Sequence, residues 1–293
     1  MKYLIKGCFW AILMLIFEFG ASSKLNAAVV ASSLAMIGYD DEQDTFTVLA
    51  LDQIEAGEVI YFTNNGWDNT MGRFNGADAT QGAGNESLIK LTMIQSVARG
   101  TVISSTITGG AWEWTTSGLI PGQVGGMAEF SHLALDYESD QIYAFQASTG
   151  NPLLNPTAFL YALHFGSVDY PEFFDAEDTL SGAIPQGLST EGKTAFAHTN
   201  LTFHGDADGN HSAWGVDLNA PALQFLQSTG GTRDQWLEAI ANSDNWGAGQ
   251  PAAAMLNVTP EPGRVILISL GLLALCLRRR RGIDKLNENL LFP

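Results

Sequence analysis

Short runs of β-favouring residues, each cut off by Gly, Asn, Asp or Pro, constrain this chain more than any other feature. From Val29 onward they recur at spacings of roughly 10–20 residues: Ser33–Tyr39, Thr45–Leu51, Glu58–Thr63, Leu88–Ile94, Thr101–Thr108, Gln141–Gln146, Phe159–Phe165 and Thr194–Thr202. Thr45-Phe46-Thr47-Val48 and Gln141-Ile142-Tyr143-Ala144-Phe145 alternate polar and apolar residues, the pattern of half-buried strands. Asn64-Asn65-Gly66, directly after Tyr61-Phe62-Thr63, is a turn signal. Few helical patterns intervene. The expected fold class is mostly β, an antiparallel β-sandwich rather than a βαβ sheet.

One helix stands out near the end of this body. Thr232-Arg233-Asp234-Gln235 has the form of a capping box, in which Thr232 accepts from the Gln235 amide. Trp236, Leu237 and Ile240 then fall on one apolar face, and the helix runs to about Asn242. Trp246 is placed to pack back onto the sheets, and Pro221–Leu226 suits a shorter helical turn. The stretch from Gly247 to Thr259 reads as a linker.

Charge divides the chain into three. Residues 29–260 carry five basic against 27 acidic residues, a balance of −22, whereas both ends are net positive. A body so acidic repels phosphate backbones, which excludes nucleic acid as its partner. Both cysteines, Cys8 and Cys276, fall in those ends. The body therefore has no thiolate chemistry and no disulfide, and relies on its core.

The ends read as addresses. Lys2 and Lys6 precede the apolar stretch Gly7–Phe17, and Leu25-Asn26-Ala27 offers a small-residue exit before Ala28, the layout of a cleaved secretory signal. At the other end, Pro260-Glu261-Pro262 leads through Gly263 and Arg264 into Val265–Leu277, thirteen uncharged residues, and then Arg278, Arg279, Arg280 and Arg281. Thirteen helical residues reach about 20 Å, against a hydrocarbon core of about 30 Å. Snorkelling of the flanking arginines lengthens the span. Four arginines stay on the cytoplasmic side, so the body is expected outside.

These C-terminal residues resemble the PEP-CTERM sorting signal: a Pro-Glu-Pro motif, a short transmembrane helix and a terminal arginine cluster. The resemblance covers about 22 of the 293 residues, and Gly282–Pro293 departs from it by adding twelve more. It implies an exported protein of a Gram-negative bacterium, cleaved by signal peptidase and processed by an exosortase. The expected route is an inner-membrane intermediate, then the cell surface or an exopolysaccharide matrix. An ordinary single-span anchor with a basic stop-transfer is the alternative. The expected organisation is a signal peptide (1–27), a β domain (28–256), the sorting signal (257–282) and a cytosolic tail (283–293). The body is also similar to a group of exported bacterial β domains of unassigned role. Ile37-Gly38-Tyr39, Ala56-Gly57 and Tyr61–Trp67 match their opening, and Gly231–Asp234 and Asn245-Trp246 their close. A looser likeness to lamin-tail sandwiches bears on fold class alone.

Gly187–Thr194 matches the phosphate-loop pattern literally, yet Ala183-Ile184-Pro185 is a poor strand before it and Ala195–Thr199 alternates like a strand after it. It reads as a surface turn. Asp206, Asp208 and Asn210 offer oxygen ligands at positions 1, 3 and 5 of a tight loop, with Asp217 at position 12, which suits a solitary Ca²⁺ loop. His211 stands where the EF-hand turn requires Gly, so an EF-hand is not expected and no cofactor is required. Asp40–Asp44 reads as a solvated hairpin loop. Trp112 and Trp114 share one face of a strand and are the candidate carbohydrate platform. No G-x-S-x-G elbow or H-E-x-x-H helix occurs. The expected role is thus non-enzymatic, structural or adhesive. A carbohydrate- or calcium-binding surface module is the first alternative, and an exported hydrolase with paired carboxylates the second.

Overall fold

Leu34-Ala35-Met36-Ile37-Gly38-Tyr39 has no polar position, and the strand it forms, β1 (Leu34–Asp40), is buried on both faces. In this computed structural model the described residues are 29–40, 42–75, 88–108, 111–116, 124–125, 128–130, 135, 139–148, 150–166, 182–199, 213–249 and 254–259. They are mostly β, in antiparallel sheets with two short helices. Around β1 are β2 (Thr45–Ala50), β7 (Val102–Thr108), β8 (Ala111–Thr116), β14 (Ala213–Val216) and β15 (Trp246–Ala248), in the order β15-β14-β1-β2-β7-β8. A slip between Met36 and Gly38 marks a bulge in the β1–β2 register.

The second sheet joins β3 (Val59–Thr63), β6 (Leu88–Met93), β10 (Ala128–Phe130), β11 (Ser139–Ala147), β12 (Pro156–Gly166) and β13 (Ala195–Thr199), in the order β10-β6-β3-β11-β12-β13. The short β9 (Val124–Gly125) also pairs with β6. One exception to the antiparallel pattern is β13, which runs parallel to β12 with Leu163 opposite Phe196. Alternation along Thr194–Thr202 locates that strand but carries no direction. A hairpin of β4 (Trp67–Asp68) and β5 (Arg73–Phe74), too short to show a period, packs Trp67 and Phe74 against Tyr143, Phe145 and Phe159 of the second sheet.

The two sheets share one core. Tyr39 of β1 stacks on Phe165 of β12 with ring centroids 4.0 Å apart, and Phe46 of β2 meets Phe62 of β3 at 4.8 Å. Such aromatic pairs add about 0.5–1.5 kcal/mol each beyond the burial of their area. Helix α1 (Pro221–Thr229) is longer than the turn expected there and buries Leu223 and Leu226. Helix α2 (Arg233–Ile240) begins with the expected capping box: Gln235 N donates to Thr232 Oγ1, and Thr232 N donates to Gln235 Oε1 at 2.9 Å. It lies over β1 and buries Trp236, Leu237 and Ile240 in the shared core. Trp246 is buried as expected, with Nε1 donating to Ile240 O at 2.7 Å.

The stretch expected to be a linker from Gly247 to Thr259 is not one at its start, where Gly247 and Ala248 pair with β14 in β15, nor over its last six residues. Leu256 N donates to Gly100 O and Gly231 N to Asn257 O, and Thr259 N returns a bond to Gly231 O. Val258 forms a parallel bridge with Gly231, and the Trp236 indole donates to Asn257 O. Leu256 and Val258 are both buried. Glycine allows this close approach. A Cβ on Gly100 would run into the Leu256 carbonyl, and one on Gly230 would meet Thr259 Cγ2. Residues 260–293, with the apolar run 265–277, lie outside the described residues; among those described, no helix is long and apolar enough to cross a membrane.

Candidate functional site

Strand ends leave backbone donors and acceptors to be satisfied, and at one end of the second sheet side chains meet that need. Thr63 ends β3, Asp140 and Gln141 open β11, and His164 lies near the end of β12, opposite Gln141. Thr63, Asn64, Asn65, Asp140, Gln141 and His164 are all buried. The Asp140 carboxylate accepts from Asn64 Nδ2 at 3.2 Å, from Gln141 N at 2.7 Å and from Gln141 Nε2 at 3.2 Å. Gln141 Nε2 also donates to the Asn64 carbonyl. Asn65 Nδ2 donates to Thr63 Oγ1 at 2.7 Å. Asn64 and Asn65, read in the sequence as turn formers, are therefore internal members of a polar network.

Tyr143 extends this cluster. Its hydroxyl donates to Ala183 O at 3.0 Å, and Gly182 lies where a Cβ would strike both that hydroxyl and the Trp67 amide. Burial, reinforced by the Asp140 charge and only partly offset by a backbone hydrogen bond, raises the Tyr143 pKa far above its usual value. The phenol therefore stays protonated and serves as a donor. The arrangement holds β3, β11 and the segment at Ala183 together through a buried set of donors and acceptors. Chemically it is a clamp on the strand ends, sealed from solvent in this conformation.

The hairpin loop Asp40–Asp44 stands near the same end. Asp40 Oδ1 accepts from the amides of Glu42 and Gln43, and Asp44 Oδ1 accepts from Leu135 N at 2.8 Å. Burial raises the Asp40 pKa against the lowering effect of those two amides, and the nearby Glu42 charge adds to the rise.

Of the remaining candidates, Asp217, Trp112 and Trp114 fall among the described residues. Asp217 follows β14, where its Oδ1 accepts from the amide and side chain of Asn219 at 2.9 and 3.0 Å. Asp206, Asp208 and Asn210 lie outside the described residues. Among the described residues no group of three or more His, Cys, Asp or Glu could hold a metal ion. Trp114 is half-buried, with its ring 5.7 Å from both Phe46 and Phe62; Trp112 lies on the same strand, and its side chain is outside the described residues. The sorting residues Pro260–Pro262 and Arg278–Arg281 are outside them too.

The phosphate-loop match leads into β13, not a helix. Its polar groups bond to one another: Gly192 N to Ser189 Oγ at 2.7 Å, Ser189 N to Thr194 Oγ1 at 2.9 Å, Lys193 N to Thr190 O at 3.1 Å. A phosphate cradle needs those amides pointing outward together. Here they close a turn, as the flanking residues had led us to expect. Comparison of the chain with protein-family models, with curated proteins and with solved structures finds no significant match to any of them.

Proposed function

We propose that this chain is an exported bacterial surface or exopolysaccharide-matrix protein, presented by exosortase-type processing and non-enzymatic in role. Its body is a two-sheet β-sandwich. The observation that carries this reading is the order of signals at the C-terminus: Pro260-Glu261-Pro262, then Val265–Leu277, then Arg278–Arg281, on a chain that opens with a secretory pattern. Each arginine costs roughly 2.5–3.5 kcal/mol at the centre of a membrane helix, so four together stop translocation. The hydrogen bonds that tie residues 254–259 to the body support the reading too. They reach Thr259, one residue ahead of the motif, so cleavage at the motif would leave the described fold whole.

Intact-mass measurement of the surface-extracted protein tests it. The expected product starts near Ala28 and has lost the chain beyond the Pro-Glu-Pro. A mature protein that keeps Val265–Pro293 in cells possessing the sorting enzyme would reduce the segment to an anchor and overturn the reading.

A further inference from the structure

The two ends of the paired sheets differ in what they expose. Tyr39, Thr63, Asp140 and His164 lie toward one end, with the buried polar network. At the other end, Leu34 pairs with Ala50, Gly100 N donates to Ala50 O, and Ser32 N donates to Leu160 O. Six large apolar side chains are exposed among the described residues, and five of them belong to segments at this second end. Val30 precedes β1, Ile94 follows β6, and Leu154 lies between β11 and β12. Met255 sits in the docked segment, one residue before the Leu256–Gly100 bond. Phe225, 61% exposed, is on α1, which carries no charged residue and is tied to the docked segment by Gln227 Nε2 to Met255 O and Asn257 N to Gln227 Oε1.

The chain leaves the body at this same end. Thr259 bonds Gly231, and five residues separate it from Val265, an extended reach of about 20 Å. If 265–277 sits in a bilayer, this end of the body cannot stand far from the lipid. Its charges are partly paired: Asp52 meets Arg99 at 2.8 Å and Arg233 at 3.1 Å, whereas Glu55 and Glu58 in the same connection bond the neutral side chains of Gln53, Ser96 and Gln146.

We propose that this end is a lipid-contacting surface, with α1 and the docked segment 254–259 at its centre. It rests against the headgroups of the membrane that holds 265–277. The proposal depends on the membrane placement of that run, set out under Proposed function. Phe225 and Met255 insert at the headgroup boundary, where an aromatic or thioether side chain leaves water without needing a polar partner. The apolar faces of interfacial segments sit about 5–10 Å into that boundary. The polar end, with the Asp40–Asp44 hairpin, then points away from the membrane.

Spin labels on the full chain in phosphatidylethanolamine–phosphatidylglycerol vesicles test this. The native Cys276 reports on the membrane run; Phe225→Cys, Met255→Cys and Glu42→Cys, each in a Cys8→Ser, Cys276→Ser background, report on the body. Phe225 is exposed, so its replacement leaves the core intact. The expected result is a several-fold higher ratio of oxygen to nickel-chelate collisions at 225 and 255 than at 42. A lipid-exposed label at 276 with 225 and 255 as water-exposed as 42 would overturn the surface while leaving the membrane run in place. A water-exposed label at 276 would remove the membrane run, and the proposal with it.

Discussion

The two ends of the sheets close by opposite means. At the polar end, side chains supply the missing partners: Asp140, Asn64 and Gln141 bond one another and the backbone in a buried cluster. At the exit end, backbone supplies most of them, because residues 254–259 lie against Gly100 and Gly231 and bond main chain to main chain, with Gln227 and Trp236 adding side-chain bonds. The first device depends on particular polar groups being present, the second on side chains being absent. The polar end should therefore fail by deletion and the exit end by addition.

The largest expected effect is at the exit end. Gly100 has φ 84°, and a Cβ there would collide with the Leu256 carbonyl. Gly100→Ala combines left-handed strain with the loss of buried Leu256, for a cost of about 3 kcal/mol. Urea unfolding of the mature chain, read by tryptophan fluorescence, gives the magnitude. Amide exchange at Leu256 locates it, and wild-type stability with a protected Leu256 amide would break the comparison. Asp140→Ala at the polar end comes next. It leaves Asn64 Nδ2 and two Gln141 donors without their carboxylate, for a loss of about 2–3 kcal/mol. Asp140→Asn, which keeps an acceptor, should lose less.

Two tyrosines sharpen the contrast with opposite signs. Tyr143 donates to Ala183 O, whereas the Tyr161 hydroxyl, one residue beyond Leu160, is buried with no hydrogen-bond partner among the described residues. Burial raises the Tyr161 pKa strongly, as expected for a phenol in an apolar setting. Tyr143→Phe should destabilise by about 1 kcal/mol, and Tyr161→Phe should be neutral or stabilise by a similar amount. Equal destabilisation by both would show that the Tyr161 hydroxyl does useful bonding.

Much of the β architecture was legible from local pattern. Each of the eight runs marked by alternation or apolar density contains a strand, the last as far as Thr199 with 200–202 outside the described residues, and the Thr232–Gln235 capping box forms as read. Local pattern failed where the deciding interaction is remote. Asn64-Asn65-Gly66 has turn chemistry, but Asp140, 76 residues away from Asn64, turns it into part of the buried network. The segment 254–259 looks like linker because its partners are remote in sequence: Gly100 and Gly231 meet it through backbone, and Gln227 and Trp236 through side chains that bond its main chain and so leave no complementary pattern in it to notice. The pairing of β13 with β12 was invisible for the same reason, since alternation is blind to strand direction.

The smallest effect concerns the hairpin at the polar end. Burial raises the folded-state pKa of Asp40 above 3.8, so the folded chain binds this proton more readily than the unfolded one. A raised carboxyl pKa means that stability from this group is greatest at low pH and is lost as pH climbs through the folded value. At neutral pH the charged Asp40 is thus a slight burden. Asp40→Asn removes the charge and keeps an oxygen for the Glu42 and Gln43 amides. It should therefore stabilise at pH 7, by less than about 0.5 kcal/mol because the side chain is partly solvated. The gain over wild type should shrink toward zero as pH falls through the raised folded value toward 3.8, where wild type takes up its proton. Paired urea titrations at several pH values measure that difference directly and cancel the other carboxylates. A variant less stable than wild type at pH 7 would mean that the two amides favour the carboxylate more than burial opposes it. The hairpin would then depend on charge, whereas the interior network depends on hydrogen-bond geometry.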